Sequence, residues 1–257
     1  MSPGPQTFDG GRYRVLTTIG QGGVGTVYLA EQLPLGRQVA LKVLREEFSG
    51  NVQVRRRFSR EARSAAGLIH PNIATVYDFG AEEDGTLYLA MEFVRGRSLA
   101  DFMLTGLTPR ELLAIVAPIL GALAYSHARG VIHRDLKPDN ILIANLPGAV
   151  TRPTVAELES RPELVKLVDF GIATTVRGGP SDIDGFTETG EGTVVGTPLY
   201  MSPEQARGGR ILTPASDLYA VGVLLFEALT GRHPFAGLSD GETPMDIMIR
   251  HVSMPAP

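Results

Sequence analysis

A composition shift near 92–97 divides this chain into a strand-rich first part with one helix and a mostly helical remainder, and that division limits the folds open to it. Residues 13–19, 26–31 and 38–44 are rich in Val, Ile, Leu, Thr and Tyr, with turns at 20–25 and at Pro34-Leu35-Gly36. They predict strands. A helix is predicted over 52–67, where Phe58, Ala62, Ala65, Ala66 and Ile69 form an apolar stripe. Residues 75–79 and 86–91 predict two further strands around Glu83-Asp84-Gly85. Beyond 95 the pattern is helical. Thr108-Pro109-Arg110-Glu111 is a capping box with Pro at the first helical position, and Gly130 stands where a C-terminal cap belongs. Thr213-Pro214 opens a second long apolar helix, and Gly231 closes it. The expected class is α+β: a small antiparallel sheet with one helix, followed by a mostly helical region.

At 257 residues the chain can bury a sizeable core. A net charge of −4 gives no general reason to expect nucleic acid or an anionic membrane as partner. The absence of Cys excludes disulfides, thiolate metal sites and Cys nucleophiles, and agrees with a cytoplasmic location. Residues 1–5 lack the basic and apolar regions of a signal peptide. The apolar stretches 112–124 and 218–229 are interrupted by Pro118, Gly121, Gly222 and Glu227, so both are expected to be buried helices and no membrane segment is expected. Residues 1–12, Pro/Gly-rich for most of their length, are expected to form a mobile lead-in.

The chemistry concentrates in His133-Arg134-Asp135-Leu136-Lys137-Pro138-Asp139-Asn140, with a second carboxylate at Asp169 in Asp169-Phe170-Gly171. A base for a hydroxyl, a cation for a moving phosphoryl group and oxygen ligands for magnesium are what phosphoryl transfer needs. Upstream, Gly20-Gln21-Gly22-Gly23-Val24-Gly25 holds three glycines in a GxGxxG pattern. By itself the run also reads as an ordinary hairpin. Because Thr26-Val27-Tyr28 continues as a strand rather than a helix, a Rossmann fingerprint does not fit, whereas amides without a neighbouring Cβ can approach phosphate oxygens. Lys42 lies in the apolar strand Val39-Ala40-Leu41-Lys42, where an unpaired charge is costly and a partner is required.

These motifs, in this order over roughly 13–252, resemble the eukaryotic-type protein serine/threonine kinases also found in bacteria. The resemblance implies a bilobal kinase fold: an N-lobe at 13–91, a hinge at 92–97 and a C-lobe at 98–257 carrying an activation segment at 169–204. It implies ATP and Mg²⁺ as cofactors and protein substrates as partners, with self-association for autophosphorylation. By the same resemblance Asp135 is the catalytic carboxylate, Lys137 steadies the transferred phosphoryl group, and Asn140 and Asp169 bind magnesium. Lys42 pairs with the ATP phosphates and with Glu61 on the helix. Met91 is the gatekeeper; the backbone of Glu92, Phe93 and Val94 meets adenine; Ile19, Val27 and Ala40 cover the ring from above and Leu142 from below. His133 is a packed residue beneath the loop, Arg134 orders a phosphorylated activation loop, and Asp217 anchors the catalytic loop's backbone. Among Thr187, Thr189, Thr193 and Thr197, Thr193 is the first choice of phosphosite, and Thr197 helps define hydroxyl specificity.

Two departures stand out. Asn140 and Asp169 are 29 positions apart (169 − 140), about twice the family's usual gap, and 145–162 is expected to be a surface insertion. The resemblance also implies further helices after Pro257, with an Arg to pair with Glu204, so the C-lobe reads as truncated. The alternative function is a weakly active or inactive nucleotide-binding scaffold.

Overall fold

The computed structural model describes residues 7–33, 35–48, 52–146, 152–170, 198–209, 212–239 and 241–257. Strands β1 (Thr7–Phe8), β2 (Tyr13–Gln21), β3 (Gly25–Gln32), β4 (Arg37–Leu44), β5 (Val76–Ala81) and β6 (Leu87–Glu92) form one antiparallel sheet in the order β1-β2-β3-β4-β6-β5. Helix α1 (Val52–Ala66) lies on one face of it, burying Val54, Phe58 and Ala62 with Ala40, Leu44, Leu87, Leu89 and Met91, while Ala65 joins the core of the second lobe. The other face has its own core of Phe8, Tyr13, Ala30, Val39, Leu41, Tyr88 and Ala90. Burial in front, then the nearby Asp78 carboxylate, push the Tyr13 hydroxyl up to about 12.

Two expectations for this lobe are corrected. Residues 7–12 are not a mobile lead-in, because β1 pairs with β2, Phe8 is buried beside Tyr28, and the Asp9 N–H donates to Glu82. The helical stripe also stops short of Ile69: α1 ends at Ala66, and Ile69 is 80% exposed beyond it.

The second lobe is built on α2 (Leu99–Leu104), α3 (Pro109–His127), α4 (Val155–Ser160), α5 (Pro203–Ala206), α6 (Pro214–Thr230) and α7 (Pro244–Ser253), with a sheet β7 (Gly96–Ser98), β8 (Ile141–Ala144) and β9 (Val165–Leu167). The Thr108/Glu111 capping box and the left-handed Gly231 at the end of α6 are present as the sequence predicts. Helix α3 is long and apolar enough to cross a membrane by length and composition alone. Its Ile115, Ile119 and Leu123 are fully buried in this lobe's core against α6 and β9.

The 145–162 insertion is only partly the surface excursion expected, because its described part docks. A Thr154/Glu157 capping box starts α4. Leu158 is buried, and Arg110 and Arg152 of the surrounding chain and insertion pair with Glu159 and Glu111. The Asn72 amide donates to the Pro162 and Val165 carbonyls at 2.6 and 2.8 Å, fastening the end of the insertion to the segment that follows α1.

Candidate active site

The loop from His133 to Asn140 leaves α3 and is held from below by α6. Asp217, 1% exposed in the first turn of α6, accepts hydrogen bonds from the His133 N–H (2.8 Å) and the Arg134 N–H (2.9 Å), and lies 2.7 Å from His127 Nε2. The Gln205 amide donates to the Arg134 carbonyl at 2.8 Å. These bonds over-determine the strained backbone of Arg134, whose φ is 66°; Asp169 is strained as well, with φ 62°. Such conformations persist only where surrounding contacts fix them, and they cluster at functional sites. His133 is fully buried against Phe170, with 4.7 Å between ring centroids. Its Nδ1 accepts weakly from the Asp135 N–H (3.4 Å), which assigns the proton to Nε2, donating to the Val168 carbonyl at 2.9 Å.

Asp135 and its neighbours face one another. Asn140 Nδ2 donates to the Asp135 carbonyl (2.7 Å) and to its carboxylate (3.2 Å), and Lys137 Nζ lies 3.4 Å from Asp135 Oδ2. The Val168 N–H donates to the Asn140 carbonyl at 2.9 Å, which ties the loop to Asp169. Asp169 Oδ2 pairs with Lys42 Nζ at 2.9 Å. Burial by itself would raise the Asp169 pKa; the Lys42 ammonium, with a smaller pull from Lys137, brings it below the ordinary carboxylate value. Lys42 is 8% exposed on central strand β4, between Val27 of β3 and Leu89 of β6.

Glu61 is not where the sequence led us to expect it. Lys42 is engaged by Asp169, while Glu61 lies 3.7 Å from the Arg134 guanidinium and 3.2 Å from Arg60. An Arg134 within reach of α1 competes with Lys42 for the same carboxylate.

In the glycine loop, the Gly22 N–H donates to the Gly25 carbonyl at 2.9 Å. A Cβ on Gly25 would meet the Val43 carbonyl oxygen at 2.1 Å, so the fold itself requires that glycine. Gly20 and Gly22 would meet nothing closer than 3.8 Å, so the protein's own contacts leave room that a ligand can use. Strand register puts Gly20, Val27, Ala40, Lys42 and Met91 on one face of the sheet. Ala40 and Met91 are buried, Val27 and Leu142 half-buried, and Ile19 is 46% exposed. The Glu92 side chain pairs with Lys166 at 2.8 Å, whereas the Val94 N–H has no hydrogen-bond partner among the described residues. Gly171, the four candidate threonines and Thr197's neighbour Gly196 lie outside the described residues.

The donor set suits a hard cation. Asp169 Oδ1 is buried without a hydrogen-bond partner among the described residues, and Asn140 spends its Nδ2 within the loop, keeping Oδ1 as an acceptor. Carboxylate and amide oxygens of this kind match Mg²⁺, which takes few protein ligands and completes its shell with water and phosphate.

Sequence reasoning did not find His127 or Gln205. The latter carried a readable signal, since Ser202 and Gln205 form the capping box that starts α5. Glu204, expected to lack its cation, accepts instead from the Ser216 hydroxyl at 2.5 Å and forms no ion pair among the described residues.

Beside this segment, burial and then the neighbouring His233 lower His251 from 6.5 to about 4, and burial lowers His233 as well. The fold keeps these rings neutral, whereas an unfolded chain protonates them near 6.5. The His251 contribution is complete above pH ~6.5 and is lost as pH falls from there toward about 4. Lowering the pH from ~7.5 to ~5 should cost the wild type about 2 kcal/mol more than His251→Gln. Equal pH dependence in urea melts of the two proteins would contradict this.

Residues 13–255 match the family model for the protein kinase domain. The chain is 42% identical over 249 residues to the serine/threonine-protein kinase PrkC of Bacillus subtilis, covering 96% of this chain and 34% of PrkC. It is 45% identical over 226 residues to serine/threonine-protein kinase pkn3 of Myxococcus xanthus, covering 87% of this chain and 38% of that protein. A crystal structure of the Mycobacterium tuberculosis PknI kinase domain superposes with TM-score 0.66 at 29% identity, over 93% of this chain and 78% of that one. The chain belongs to the protein kinase domain family and has its bilobal fold. It spans little more than a third of the length of these two curated relatives.

Proposed function

We propose that this chain is the catalytic part of a protein serine/threonine kinase that transfers the γ-phosphate of ATP to protein hydroxyls. The observation that carries the reading is the convergence of Asp135, Lys137 and Asn140 in one hydrogen-bonded loop, joined through Val168 to the Lys42–Asp169 pair. Asp135 would orient the substrate hydroxyl and accept its proton, with the carboxylate held by Asn140. Lys137 supplies a cation beside that carboxylate, and Lys42 a second one on the sheet above. Asp169 Oδ1 and Asn140 Oδ1 would hold Mg²⁺, which when bound neutralises charge on the phosphates. Adenine would sit between Val27, Ala40 and Leu142, meeting the Val94 backbone. Autophosphorylation within the 169–204 segment, self-association to achieve it and a cytoplasmic location follow from the same reading.

The pairing of Glu61 with Arg134 favours a second reading, a nucleotide-binding scaffold with weak activity. Labelled ATP, magnesium and a generic protein substrate decide between them. Wild type should label the substrate and itself, and Lys42→Met or chelation of magnesium should abolish both signals. Labelling by Lys42→Met at the wild-type rate would reject the catalytic reading.

A further inference from the structure

Helix α1 presents a second face that the active site does not use. Val52, Arg55, Arg56, Ser59 and Arg63 line one recess on the outside of the helix, opposite the buried Val54, Phe58 and Ala62. All three arginines are exposed. Their guanidinium groups have no hydrogen bond, ion pair or ring contact among the described residues. By contrast, Arg12, Arg14, Arg110 and Arg250 each reach a carboxylate and Arg129 stacks on Tyr125.

The placement of the charges is costly to the helix. Its first turn holds no acidic residue, and Arg55 and Arg56 follow at once. A helix N-terminus disfavours cations and attracts anions, and Arg56 and Arg63 stand four and three positions from Arg60, spacings at which like charges repel. A local rule broken without an internal compensation points to function. We propose that this face of α1 is a docking site for a phosphorylated, acidic peptide segment of a partner protein.

Guanidinium forks match phosphate and carboxylate oxygens bidentately, and the Ser59 hydroxyl adds a donor between them. The stripe from 52 to 63 is about 17 Å long at ~1.5 Å per residue, the reach of a short extended peptide. The molecule's net charge of −4 opposes a long polyanion while leaving room for a short one. Val52 is the one exposed apolar side chain of this stripe, too little to anchor a membrane surface.

Fluorescence anisotropy with a short Asp/Glu-flanked phosphothreonine peptide tests this without reference to kinase activity. Its unphosphorylated counterpart, a single-stranded oligonucleotide of equal charge and phosphatidylserine vesicles complete the probe set. The phosphopeptide should bind saturably and most tightly, and Arg56→Gln with Arg63→Gln should weaken it by about tenfold or more. The double variant should melt no lower than wild type, since removing the repulsion leaves the core face untouched. Undiminished binding by the double variant, absence of saturable phosphopeptide binding, or equal affinity for the oligonucleotide or vesicles would overturn the proposal.

Discussion

Asp135→Asn is expected to reduce phosphoryl transfer by about 10²- to 10⁴-fold while leaving the fold intact. The substitution keeps the shape of the side chain and removes only its ability to accept a proton and to face the Lys137 ammonium as an anion. The surrounding scaffold does not depend on that charge. The Asn140 amide still has the Asp135 carbonyl at 2.7 Å, and His133 and Arg134 still hang from Asp217. The melting temperature should therefore stay within a few degrees of wild type. Single-turnover rates at saturating ATP, measured beside thermal melts, separate the two quantities. A variant retaining a tenth or more of the wild-type rate would remove Asp135 from the role assigned to it.

Much of this arrangement was legible in the sequence because its signals are local. The strand-forming runs and turns of β2 to β6, the Thr108/Glu111 box and the Gly231 cap are each decided within a few residues, and the structure repeats them. What escaped depends on distant contacts. Phe8 is an isolated apolar residue in a Pro/Gly-rich stretch, and its strand exists because Tyr13, Tyr28 and Tyr88 offer a second core above the sheet. Helix α4 carried its own capping box, but the prolines around it suggested a loop, and docking on α3 decided the matter. The partner of Glu61 was not legible at all. Lys42 pairs with Asp169 and Glu61 lies near Arg134, a choice made by contacts far apart in the chain that no residue pattern encodes. The glycine loop shows a different limit. Gly25 is required by the Val43 carbonyl, so one of three glycines read as phosphate-binding also has a steric duty within the sheet.

Asp217→Ala should be the most destabilising single change in the site, although this residue touches no reacting group. The carboxylate is buried at 1% exposure and serves the His133 and Arg134 amides and the His127 ring together. Its loss leaves two buried N–H groups without acceptors and releases the strained Arg134 backbone, for which each unsatisfied donor costs about 1–3 kcal/mol. A total of about 3–5 kcal/mol is expected, comparable to breaking a buried charged network. The Gln205 bond to the Arg134 carbonyl survives the substitution, so the loop should loosen before the lobe unfolds. Hydrogen exchange resolves that order: the His133 and Arg134 amides should lose protection first, while the fully buried Ile115 and Ile119 on α3 keep theirs. Asp217→Asn is the more discriminating variant. Its single carbonyl oxygen can accept from one amide well, and its NH₂ faces a second N–H as a donor against a donor. It should recover part of the stability and little of the activity, because Asp135 is placed by the backbone that Asp217 holds. Full stability in Asp217→Ala, or full activity in Asp217→Asn, would show that the loop keeps its shape without this anchor.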